Sequence, residues 1–144
     1  MISKSGISVA LLVLSIFPAH GSDIANNIIK RAQKACASEK GQFHVAEDAT
    51  QQLDLNNDWE VDEIVDEGKF SCSTASSLYC GTGGCAVHIL VNGKDYNYLA
   101  HSWKIVEFDK DKIIIMSVHW SECNYKNPCL KAITWQDGRF RNLK

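Results

Sequence analysis

The chain has 144 residues, 45% of them hydrophobic, with 15 Lys and Arg against 17 Asp and Glu and a formal net charge of −2. That is enough chain and enough apolar content for one domain with its own core, and the acidic balance excludes the basic footprint that nucleic acid or an anionic membrane surface requires. The compositional feature that needs an explanation is the six cysteines.

Residues 1–21 have the form of an export signal. Met1 and Lys4 give a positive start, residues 7–17 an apolar run, Pro18 a break, and Ala19-His20-Gly21 a small-x-small cleavage site. A membrane anchor is the alternative, but this run falls well short of the roughly 20 residues that a spanning helix needs. Cleavage leaves residues 22–144 as a single domain in the periplasm or outside the cell, with no membrane insertion and, Lys4 being lost, 14 basic residues against 17 acidic.

Cys36, Cys72, Cys80, Cys85, Cys123 and Cys129 all lie in that domain, an even number in an exported chain, which predicts three disulfides. A zinc site is the rival, yet C-x4-C and C-x5-C are not the tight pairs of zinc ribbons. Sequence alone does not choose the pairing. Cys80 with Cys85 and Cys123 with Cys129 are preferred because each would close a short turn rich in Gly, Asn or Pro, which leaves Cys36 with Cys72.

A helix is predicted over residues 23–40, since Ile24, Ile28, Ala32 and Cys36 recur on one face; Ser22 or Asp23 can cap it and Gly41 stands where a left-handed residue commonly ends a helix. Residues 42–46 read as a short strand. Residues 85–91 and 95–101 flank Asn92-Gly93, a type I′ turn signal, and so predict a hairpin. Strands follow over 103–108 and 113–119, the second a β-branched run suited to a central position, and then 130–135 and 139–143 flank Asp137-Gly138. The expected fold is α+β: one helix packed on a mostly antiparallel meander, stapled by disulfides.

Between the first strand and the hairpin, residues 54–67 carry seven carboxylates and no Lys or Arg. Asp54, Asn56, Asp58 and Asp62 fill positions one, three, five and nine of an EF-hand-type calcium loop, and Glu60 would offer its carbonyl at seven. Short oxygen-bearing side chains on alternate residues of a coiled loop can surround a hard cation. Trp59 stands at position six, where glycine is usual, and Val65 at twelve, where a carboxylate is usual. A solvated acidic turn between two strands is the other reading.

The segment DLNNDWEVDEIV resembles the D-x-N-x-D-G-x-x-D loop of FG-GAP-type calcium repeats, which in that family links two strands of a propeller blade. One copy cannot build a propeller, so the resemblance implies a loop and not a fold. More broadly, the order of signal, this loop, F-x-C at 70–72, YCGTGGC at 79–85, a paired-cysteine loop and W-x-D-G-x-F at 135–140 is similar to a group of small exported bacterial proteins of unknown function with one such loop and a CGxGGC motif. That likeness implies an export route and a domain size, and no activity.

Cys80-Gly81-Thr82-Gly83-Gly84-Cys85 lacks the Lys-Ser/Thr of a phosphate loop and the two-residue spacing of a redox pair, so a structural bridge is expected. Gly81, Gly83 and Gly84 would make its turn rigid and approachable, and with Trp59, the tryptophan expected to be exposed, they are candidate contact residues. His44, His88, His101 and His119 stand in no ligand or catalytic pattern and read as strand residues. The expected function is therefore a non-catalytic binding or inhibitor-like protein, for a protein or small-molecule partner, with calcium as the one candidate ligand. The alternatives are a small hydrolase pairing Asp62 or Glu63 with His101 or His119, and a structural envelope protein.

Overall fold

The computed structural model describes residues 22–125 and 127–143; the expected export signal at 1–21 lies outside them. Its elements are α1 (Asp23–Ser38), β1 (Phe43–Val45), β2 (Thr50–Leu53), β3 (Asp62–Asp66), β4 (Phe70–Cys72), β5 (Cys80–Gly81), β6 (Gly84–Val91), β7 (Lys94–Ala100), β8 (Ser102–Phe108), β9 (Asp111–Ser117), β10 (Leu130–Gln136) and β11 (Arg139–Asn142). The architecture is the expected α+β one, with one α-helix among the described residues ahead of antiparallel strands.

Three layers result. β2, β3, β6 and β7 lie side by side in one sheet, with β5 beside the start of β6, and β8, β9, β10 and β11 form a second sheet in that order. Alternation along β6 explains the stacking, because successive residues of a strand point to opposite faces. Val87, Ile89 and Val91 join Ile64 in a core shared with Ile114, Met116 and Ile133 of the second sheet. Leu90 and Val65 point the other way, into a smaller core with Ala25, Ile28 and Ala32 of α1 and with Phe70.

Helix α1 forms because its small and apolar residues repeat on one face and the Ser22 side chain accepts from the Ala25 N–H. Ala25, and not Ile24, completes the buried face. The helix stops two residues earlier than expected, and the left-handed residue is Lys40 (φ 56°) rather than Gly41. Gly41 is needed for space instead. A Cβ there would lie 2.4 Å from Cys72 Sγ and 2.8 Å from Cys36 Sγ, so glycine makes room for the bridge behind it.

Both hairpin turns have the expected left-handed pairs, Asn92 and Gly93 at φ 50° and 71° and Asp137 and Gly138 at φ 50° and 73°. Pairs β2–β3 and β1–β4 go beyond the one short strand that the sequence predicts in this region; each is too short for its periodicity to show. The disulfides join Cys36 to Cys72, Cys80 to Cys85 and Cys123 to Cys129, and no cysteine is free. The first ties α1 to β4 across 36 residues, whereas the others close separations of 5 and 6.

By chain entropy, replacing Cys36 and Cys72 together by Ala lowers stability by about 4 kcal/mol, and replacing Cys80 and Cys85 by about 2 kcal/mol. Urea denaturation of the two double variants checks that order.

Candidate functional site

The acidic loop spans the gap between β2 and β3. Asp54 organises it: Oδ1 accepts from the backbone N–H groups of Asn56, Asn57 and Asp58 at 3.2, 2.7 and 3.3 Å, and Oδ2 from that of Trp59 at 3.0 Å. Partial burial acts to raise the Asp54 pKa, but these four donors outweigh it and hold the carboxyl below its ordinary value. Asn56 Oδ1 accepts from Asp58 N–H at 3.0 Å and Asp58 Oδ1 from Glu60 N–H at 2.8 Å, so each oxygen-bearing side chain ties down backbone two residues on.

Asp62 closes the loop from β3, its Oδ2 accepting from the buried Leu55 N–H at 2.8 Å. Burial raises its pKa; the Leu55 hydrogen bond opposes this, and the negative charges of Asp58 and Asp54 add to the rise. Four of the five sequence-predicted ligands, Asp54, Asn56, Asp58 and Asp62, are thus linked to one another or to the loop backbone, while Glu60 is exposed. The Asn56 Nδ2 donates to Asp58 Oδ2 at 2.7 Å. Val65, at position twelve, is buried in β3 between Thr50 and His88 and brings no oxygen side chain. Among the described residues no three His, Cys, Asp or Glu side chains converge as a ready-made metal cage.

Trp59 is 96% exposed and has a φ of 70°, in the left-handed region that a bulky residue enters only at a cost. The loop that carries it is braced from outside, since Asn57 Nδ2 donates to the Lys110 carbonyl at 3.1 Å in the β8–β9 turn. Phe108, beside that turn, is 72% exposed, and Val61 is exposed at the end of the loop.

The glycine turn corrects one expectation. Gly81 and Gly83 are accessible, but Gly84 is buried at φ 103°, and a Cβ there would meet the Ala100 carbonyl at 2.4 Å. It serves the close crossing of β6 and β7 and is no contact residue.

The hydrolase pairing is not assembled. Glu63 lies opposite Leu90, and His101 follows Ala100, which lies opposite Cys85. Five residues of β6 separate the two places, or about 17 Å. Glu63 is instead occupied by the Ser22 N–H at 2.8 Å and Gln52 Nε2 at 3.1 Å. A cavity of about 590 Å³ opens between β2 and β8 and is lined by Gln51, Asp66, Lys69, His101, Trp103 and Lys104 among others. Its carboxylates are engaged, Asp66 by Trp103 Nε1 at 2.8 Å and Asp48 by Lys69 Nζ at 2.7 Å.

The histidine–carboxylate group that does assemble lies elsewhere. His88, 1% exposed on the helix side of β6, places Nδ1 2.8 Å from Asp95 Oδ2 and Nε2 3.2 Å from Glu67 Oε1. Arg31 Nη2 of α1 stands 3.9 Å from the same Glu67 oxygen, and Asn97 Nδ2 is 3.4 Å from Nδ1. Burial acts to lower the His88 pKa, but hydrogen bonds and charge from Glu67 and Asp95 outweigh it and raise it. With both nitrogens occupied and no exposed face, the ring has nowhere to receive a substrate. A polar residue within the apolar run AVHILV was the signal that such partners exist; it could not name them.

Compared with protein-family models, with curated proteins and with solved structures, the chain matches none.

Because the folded His88 pKa is raised above its unfolded value near 6.5, its contribution to stability is full below about pH 6.5 and is lost as pH rises through the folded value. Melting temperatures between pH 6 and 9 on this account fall in the wild type. The slope flattens in His88→Gln, and an equal slope in both would assign the loss to other groups.

Proposed function

We propose that this chain is an exported, non-catalytic binding domain whose contact surface is the Trp59 loop. The observation that carries the reading is an indole held almost wholly in solvent at a positive φ. A left-handed conformation costs a non-glycine residue roughly 1–2 kcal/mol, and an exposed indole returns none of it to the fold. Contact with a partner is what would return it, since tryptophan is a favoured anchor and a loop already ordered loses less entropy on binding. Asp54 supplies that order through four backbone N–H groups. Three cystines with no free thiol support export to an oxidising compartment. Among the described residues no helix is long and apolar enough to cross a membrane.

A second reading, that the loop takes a weak calcium ion, is favoured by the same φ. Position six of an EF-hand-type loop needs a sharp turn, and Trp59 makes it without glycine. Asp54, Asn56, Asp58 and Asp62 would supply side-chain oxygens and Glu60 its carbonyl, the Asn56 amide turning away from Asp58 to free an oxygen. The lack of a twelfth carboxylate sets the affinity near 10⁻⁴–10⁻³ M, roughly that of extracellular modules.

Trp59→Gly separates fold from function. It leaves stability unchanged or raises it by about 1 kcal/mol, since glycine tolerates the turn, while capture of a partner from the cell's extracellular or envelope extract is lost. Equal capture by wild type and Trp59→Gly would sink the docking reading.

Titration with calcium, followed by tryptophan fluorescence and melting temperature, saturates on the order of 1 mM in wild type and fails in Asp58→Ala. A flat response at about 10 mM removes calcium and leaves docking untouched.

A further inference from the structure

We propose that His101 and His119 form a second, separate site, which takes one Zn²⁺ or Cu²⁺ ion at the opposite end of β6 from the acidic loop. β7 ends at Ala100 and the His101 N–H donates to the Ser117 carbonyl at 2.8 Å; Val118 N–H donates to the Cys129 carbonyl at 3.0 Å. These bonds fix both backbones and bring the two imidazoles to a centroid distance of 6.5 Å, with their planes 46° apart. Rings that share one ion through nitrogen bonds of about 2.0–2.1 Å have centres roughly 5–6 Å apart, so a small turn of the exposed His101 side chain suffices.

Neither ring is committed to the core. Among the described residues the His101 ring has no hydrogen bond, and its one ring neighbour is His119. His119 Nδ1 lies 2.7 Å from Ser121 Oγ, and its Nε2 is the nitrogen left for a metal. With an ion bound there, Nδ1 carries the proton and donates it to the Ser121 hydroxyl, the outer hydrogen bond that orients a ligating imidazole. The weak 3.4 Å approach of Ser121 N–H to Nδ1 is then given up.

Imidazole selects zinc and copper over calcium or magnesium, which makes this site chemically distinct from the oxygen-lined loop. Each ring lines an open cavity: His101 that of about 590 Å³, His119 one of about 220 Å³ with Thr82, Ser121 and Glu122. Two protein nitrogens leave positions for water or for a donor on a bound molecule. The exposed Trp120 ring lies 5.0 Å from the His119 ring.

The test uses the oxidised chain. Substoichiometric Cu²⁺ should broaden the imidazole resonances of His101 and His119 and spare those of His44 and His88. Calorimetric titration with Zn²⁺ should give one ion per chain, weakened tenfold or more by His101→Ala and by His119→Ala and unchanged by His44→Ala. His101→Ala is decisive, because an exposed ring with no hydrogen bond among the described residues can be removed without unfolding the chain. Undiminished zinc binding in His101→Ala, or loss of binding in Asp54→Ala instead, overturns the proposal.

Discussion

Burial of both faces of β6 is the constraint on which the rest of this structure depends. A strand covered on two sides must be apolar nearly throughout, and residues 85–91 are, with His88 the exception. One face draws the second sheet onto Val87, Ile89 and Val91, and the other draws α1 onto Leu90. An imidazole at the centre of such a strand is tolerable only if its polar atoms are satisfied, because a buried polar group without partners costs several kcal/mol, on the order of 2–7. Glu67 and Asp95 satisfy both nitrogens, and Arg31 approaches Glu67 from the helix. Helix, turn, β6 and β7 are thereby tied through one ring.

The seven carboxylates of residues 54–67 look like one feature in the chain and are several in space. Asp54, Asp58 and Asp62 belong to the loop. Glu63 receives the N–H of Ser22 just ahead of α1, Asp66 holds the Trp103 indole of the second sheet, and Glu67 holds His88. Glu60 is exposed beside them. Glu63, Asp66 and Glu67 are thus accounted for by donors that β3 and the turn after it meet on three sides.

Strained loops stand at both ends of the sandwich. At one end Trp59 is left-handed and Asp54 holds it there; at the other Asn124 and Tyr125 are left-handed at φ 52° and 63° inside the loop closed by Cys123 and Cys129. Such conformations persist where surrounding bonds over-determine them. Both ends also expose aromatic rings, Trp59 at one and Trp120 with Tyr125 at the other. A rigid middle with presenting ends is the physical basis of the proposal that the loops recognise and the sheets stabilise.

Local chemistry determined much of this without the fold. Asn92-Gly93 and Asp137-Gly138 specify turns through the backbone freedom of their own residues, α1 is legible from a four-residue repeat, and the short cysteine loops point to their own closure and so to the third bridge. The oxygen spacing of residues 54–62 marked a loop between two strands, and the structure adds that its side chains bond its own backbone two to seven residues along the chain. Tertiary structure decided the rest. Which carboxylates meet His88, why Gly84 cannot carry a side chain, how far Glu63 lies from His101 and how His101 comes beside His119 all follow from strand register and sheet stacking. Those contacts join residues far apart in the chain, and no local propensity encodes them; they exist only once both faces of β6 are covered.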